Sequence, residues 1–159
     1  MHDLVINFFI GFPKELATFL IAIVPITELR ASIPVAINQF QMSAFSAWFW
    51  SVAGTYFAML LILFLLDPVA KILSKYISFF AKFFEWLFEH TRKKTNGKME
   101  KYGEWSIFIL AATPVPLIGG LTGALAAFVF GIHPKKSLPL LLLGTMISGA
   151  IVVFLTKTF

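Results

Sequence analysis

The sequence has no cysteine, which excludes disulfides, thiolate metal sites and thiol chemistry. Charge is also scarce. Asp, Glu, Lys and Arg make up 13% of the 159 residues, about half the usual share of about 25%. The markers of catalysis are missing too. There is no His/Asp/Glu spacing for a metal, no nucleophile–base arrangement and no phosphate-cradling glycine loop that opens a helix, so no enzyme is expected. What is present is hydrocarbon: 58% hydrophobic residues, 16% aromatics and a mean hydropathy of +0.85. A soluble domain has nowhere to hide that much apolar surface. The composition predicts an all-α integral membrane protein, a single domain over residues 1–159, with no cofactor.

The N-terminal stretch does not read as a cleaved signal, because it lacks a basic start and Pro13, Lys14 and Glu15 interrupt its apolar run. Residues 4–12 read as a short interfacial helix, since a crossing takes about 20 residues. The clearest spanning helices are residues 44–66, which carry no charge, and residues 137–156. Asp67-Pro68 reads as an N-cap followed by the first position of a new helix. From there Lys71, Lys75, Ser78, Lys82, Glu85 and Glu89 recur at spacings of four and three, which predicts one amphipathic helix lying in the interface. Residues 91–98, Thr-Arg-Lys-Lys-Thr-Asn-Gly-Lys, read as a solvated basic loop.

Glu28 and Arg30 sit inside the apolar stretch 17–37, bracketed by Pro25 and Pro34. A carboxylate and a guanidinium inside hydrocarbon are costly and normally serve function or a specific contact. The prolines predict a broken backbone, with half-helices of about ten residues reaching about 15 Å, half the hydrocarbon core. That length fits a re-entrant hairpin. On a continuous helix residues two apart point to opposite sides, so a Glu28–Arg30 pair requires an extended turn there. Glu28 reads as a proton or cation site and Arg30 as the anion contact, because its fork matches phosphate oxygens. A structural salt bridge is the plainer alternative. Thr27 and Ser32 are candidate binding hydroxyls, and they equally suit carbonyls freed by the break.

A second broken stretch follows at residues 104–130. Its expected tip contains Thr113, Pro114, Pro116, Gly119, Gly120, Thr122 and Gly123, and no charge. Either its half-helix ends present backbone groups and the two threonine hydroxyls to a ligand, or its small residues simply pack tightly.

The halves resemble one another. At a shift of 89, Glu15 falls on Glu104, Phe19 on Phe108, Ala22 on Ala111 and Pro25 on Pro114. At a shift of 90, Gly54-Thr55 falls on Gly144-Thr145 and Phe64-Leu65 on Phe154-Leu155. The expected organisation is repeat 1 at about 14–66, an amphipathic helix and basic loop at 67–101, and repeat 2 at about 102–156. Each repeat is a proline- or glycine-broken re-entrant hairpin followed by a transmembrane helix. An odd number of crossings then separates the hairpins, which makes the repeat inverted. Eight of thirteen Lys and Arg lie in 71–101, and Lys135 and Lys136 add two. Positive-inside counting puts these regions in the cytoplasm of a cell-membrane protein, with both termini outside.

The run Pro25 to Pro34, Pro-x-x-Glu-Leu-Arg-x-Ser-Ile-Pro, is followed by Glu100-Lys101-Tyr102-Gly103 and by a Pro-x-Pro-x-x-Gly-Gly-x-Thr-Gly hairpin. These motifs resemble the small multi-drug export protein family, itself similar to the DedA (VTT-domain) superfamily. The resemblance implies inverted re-entrant units. It also implies proton-coupled movement of polyprenyl-phosphate or phospholipid headgroups, with Glu28 and Arg30 at the charged positions. DedA-like proteins usually carry an arginine in the second hairpin; here that stretch is Leu117-Ile118-Gly119-Gly120.

Three functions follow as expectations. The first is a proton-coupled translocase for a lipid phosphate or other anionic headgroup. The second is a small multidrug cation/proton exporter, against which Arg30 argues by repelling cations. The third is a non-transporting scaffold. Expected partners are membrane lipids, a small-molecule or lipid substrate and further copies of the chain, because two crossings make thin walls for a path. Nucleic acid is not expected.

Overall fold

The computed structural model describes residues 11–25, 27–114 and 119–158. Among these are seven helices and no strand: α1 (Lys14–Ile23), α2 (Glu28–Asn38), α3 (Ala44–Tyr76), α4 (Ser78–Tyr102), α5 (Trp105–Ala112), α6 (Gly120–Val129) and α7 (Pro134–Thr158). The short helix expected over 4–12 lies almost wholly outside the described residues, as does Pro116.

α3 and α7 are long and apolar enough to cross a membrane, and only a third of each apolar window is buried inside the chain. Phe45, Phe64 and Phe154 are among the side chains left exposed on them. The core helix of a soluble protein would hide such residues, whereas lipid solvates them.

The described chain forms two compact units, and both boundaries fall within the long helices. The first unit runs through Thr55 and resumes at Gly149. In it α1 packs on α2 across a four-residue link, a helical hairpin. Leu29 and Ile33, one turn apart on α2, are buried with Val152 of α7, and Ile37 and Val153 extend the cluster. The α7 backbone at Gly149 lies against the Trp48 ring and Val52 of α3.

The second unit spans Tyr56–Ser148. Its hairpin is α5 on α6, and α4 packs on both. The Phe88 ring meets Phe128 at 5.4 Å. Lys136 at the start of α7 pairs with Glu104, just ahead of α5, at 2.9 Å.

Corresponding features recur about 90 residues apart. α1 and α5 end at Ile23 and Ala112, each followed by an extended residue, Val24 and Thr113. Gln41 and Gly131 both have positive φ, and α3 and α7 then begin at Ala44 and Pro134. A Cβ on Gly54 would run into the Phe19 carbonyl and the Ala22 methyl, and one on Gly144 would meet the Phe108 carbonyl and the Ala111 methyl. These are the residues that the two-half alignment pairs.

Four expectations need correction. Asp67-Pro68 does not start a helix: α3 runs through it to Tyr76. A proline costs one backbone bond, and the strong helix formers around it, Leu65, Leu66, Ala70 and Lys71, carry the helix past that loss. The break comes instead at Ile77, with φ −136° and ψ 110°. The expected single polar stripe is therefore split, Lys71 and Lys75 on α3 and Lys82, Glu85 and Glu89 on α4. Residues 91–98 are not a loop but part of α4. Good helix formers, a Thr95 hydroxyl donating to the Thr91 carbonyl at 2.7 Å and an Asn96–Glu100 contact at 2.5 Å hold them there. Finally, the first hairpin's break spans only residues 24–27, and Pro34 lies within α2. Burial of the 29/33/37 stripe offsets the one bond that Pro34 forfeits.

Candidate functional site

α1 stops before Pro25, whose ring cannot follow a helical residue easily. Val24 and Thr27 of the link that follows are tied in by hydrogen bonds. The Val24 carbonyl accepts from the backbone N–H of Thr27 at 3.1 Å and of Glu28 at 2.9 Å. The Thr27 hydroxyl donates to the Ile21 carbonyl at 2.6 Å and approaches the Val24 carbonyl at 3.2 Å. Thr27 thus covers carbonyls that the end of α1 leaves open.

Glu28 opens α2 and is 8% exposed. Its φ is +42°, a left-handed conformation that L side chains rarely take. Such a residue costs on the order of 1–3 kcal/mol and persists only where its surroundings fix it. Its place at the helix start also sets the carboxylate against the positive end of the α2 dipole. Arg30 is half-buried and within electrostatic reach of Glu28. The expected extended segment carrying both charges is replaced by a tighter device: one left-handed residue and then helix.

Ser32 does not bond a freed carbonyl. Its hydroxyl donates to the Ser51 hydroxyl of α3 at 2.7 Å, and both residues are fully buried. One turn along α3, the buried Thr55 hydroxyl points at the Ala22 carbonyl at 3.4 Å. Sequence reasoning passed over Ser51. The available signal was its helical spacing from Thr55 along a face of small residues that includes Ala47 and Gly54.

The second set of expected residues lies in the other unit. Thr113 donates to the Ile109 carbonyl at 2.6 Å, closing α5 before Pro114. Gly119 is extended, Gly120 begins α6, and Thr122 lies within its first turn. Gly123 sits where a Cβ would press on the Leu141 side chain at 3.0 Å and the Ile107 carbonyl at 3.2 Å. This is close helix packing through a small residue. The charged groups therefore belong to the first hairpin and the small-residue seam to the second.

Residues 28–151, 124 of the 159, match the family described as "Putative small multi-drug export protein". No curated protein and no solved structure matches the chain.

Proposed function

The chain belongs to the small multi-drug export protein family, and from that premise we propose that it is a proton-coupled membrane exporter whose site is the first hairpin. Glu28 carries the proton and Arg30 contacts an anionic group of the cargo. The observation that carries this reading is the buried, left-handed Glu28 with Arg30 in its field, at the start of a helix that precedes the first apolar span. At such a carboxylate burial disfavours the charged form and the neighbouring cation favours it, the opposed pushes that a proton carrier uses. A cargo with a phosphate would find paired donors in Arg30. Thr27 and Ser32 have other bonds and shape the hairpin around the pair.

The hairpins of this reading are re-entrant. α1 and α2, with 10 and 11 residues, each reach about 15 Å, half of a hydrocarbon core of about 30 Å. The recurrence of hairpin and long helix about 90 residues apart supports an internal repeat. An odd number of crossings between the hairpins inverts it, a plan common among transporters. The basic segment is cytoplasmic by its charge. Because two spans enclose little, the working form is a homodimer or larger, which native mass measurement in lipid checks.

The test is transport in proteoliposomes under a pH gradient, with a fluorescent lipid phosphate and a lipophilic cation as alternative cargoes. Lipid-phosphate movement lost in Arg30→Ala and uncoupled from pH in Glu28→Gln supports the proposal. Proton release on adding the lipophilic cation, abolished by Glu28→Gln and retained in Arg30→Ala, would replace it with cation exchange. Movement of neither cargo in folded protein would leave a scaffold.

A further inference from the structure

α4 has a buried side, an exposed aromatic side and a basic end, and the export site uses none of them. At 100° per residue, Phe84, Phe88, Thr91 and Thr95 share one side. That side faces the second hairpin: Phe84, Thr91 and Thr95 are buried and Phe88 meets Phe128. Near the end of the helix, the Ser106 hydroxyl of α5 points at the Met99 sulfur at 3.4 Å.

The second face is aromatic and exposed. Phe79, Phe83 and Trp86, at spacings of four and three, are 70%, 43% and 58% exposed. Phe83 and Trp86 touch at 6.3 Å, and Trp86 stacks on His90 at 5.2 Å, so these three rings form one row. Just before the break at Ile77, Ile72 and Tyr76 of α3 extend the exposed apolar surface, with the Lys75 ammonium over the Tyr76 ring.

The charges are spread around the helix and are uneven along it. α4 holds six cations and three carboxylates, and five of the cations (Arg92, Lys93, Lys94, Lys98 and Lys101) follow the aromatic strip.

Water is a poor neighbour for the strip, because exposed aromatics in a contiguous row mark a binding surface. The bilayer interior is a poor neighbour for nine charges. One environment suits both halves: the headgroup boundary of an anionic leaflet, where Phe and Trp settle and Lys and Arg meet phosphates. α3 supplies the position. Its 33 residues extend about 50 Å, beyond a core of about 30 Å, so the break at Ile77 falls near a membrane surface.

We propose that α4 is an anionic-phospholipid binding element. Its aromatic strip is set into the headgroup boundary and its basic end lies over the headgroups, while its buried side holds the second hairpin to that surface. The inference stands whether or not Glu28 binds a cargo.

The experiment uses the whole chain in nanodiscs of phosphatidylcholine with or without phosphatidylglycerol. Because the chain has no cysteine, single spin labels at Phe79→Cys, Phe83→Cys and Trp86→Cys report depth directly. Oxygen should reach them at shallow depth and a water-soluble nickel chelate should not, while labels at Lys82→Cys and Glu89→Cys should show the reverse. Separately, the Lys82, Lys93, Lys98 and Lys101→Gln variant should lose preference for phosphatidylglycerol by at least about fivefold at low salt, from about 1 kcal/mol per cation near the surface. Chelate access to the strip, a depth at the bilayer midplane, or an unchanged lipid preference would each overturn the proposal. Dipolar coupling between labels on separate copies would overturn it in favour of self-association through this face.

Discussion

Glu28 occupies a backbone conformation that suits glycine or asparagine, and it does so while buried. A β-branched residue is the worst fit to positive φ. Glu28→Val should therefore unfold about 1–2 kcal/mol more easily than Glu28→Gln, with Glu28→Asn at least as stable as the Gln variant. All three lose the charge, so thermal unfolding in one detergent isolates the backbone effect. Equal stability of Val and Gln would mean that the folded hairpin does not use the left-handed turn. The neighbouring Ser32–Ser51 bond gives a second reading at this scale. Ser51→Ala leaves the Ser32 hydroxyl in a dry site, at a cost of about 1–3 kcal/mol. Removing both hydroxyls should cost less than the two single changes together, with a coupling of about 1 kcal/mol. Strict additivity in a double-mutant cycle would argue that the contact is not made.

The helices of each hairpin meet the long helices through glycine, and this decides which substitutions an element tolerates. A methyl group on Gly54 or Gly144 would overlap backbone carbonyls that cannot move aside cheaply, so Gly54→Ala and Gly144→Ala should each destabilise by about 1–3 kcal/mol. Gly97, inside α4 with nothing near its Cα, should behave oppositely: Gly97→Ala should gain about 1 kcal/mol of helix propensity. Detergent unfolding of the three variants checks both signs at once. Gly54 and Gly144 were legible as corresponding positions because they recur in the two-half alignment. Pro25 and Pro114 were legible as helix ends, since the residue before each is extended. Pro34 and Pro68 carry the same local signal yet lie inside helices, because strong helix formers or a buried stripe continue past them. The basic run 91–98 was misread for a related reason. Its polarity looks like loop, but its Arg and Lys favour helix and α4 buries Thr91 and Thr95. Of the candidate site, Glu28 and Arg30 could be read as charges in an apolar run. The positive φ of Glu28 could not, because glutamate is not a usual left-handed residue. Ser51 was legible only as a small polar residue one turn from Thr55, and its pairing with Ser32 was not.

At the scale of the whole molecule, the export reading depends on where each hairpin enters and leaves the bilayer. Hydropathy supplies two helices long and apolar enough to cross, and the cations divide strongly toward the stretch from Lys71 to Lys101 and to Lys135 and Lys136. If the hairpins are re-entrant, the two feet of each must open to the same aqueous side, and the first and second hairpins must open to opposite sides. Glu15→Cys and Gln41→Cys mark the feet of the first, Lys101→Cys and Lys135→Cys those of the second, and all four side chains are exposed. In sealed vesicles an impermeant maleimide should modify both members of one pair and neither of the other. The pattern should invert with vesicle orientation. An even count of membrane passages through residues 14–41 is the only arrangement that gives matched feet there. Reaction of Glu15→Cys and Gln41→Cys from opposite sides would make α1 and α2 together a single crossing. Glu28 would then be a charge within a spanning helix pair, and the inverted architecture would fall with it.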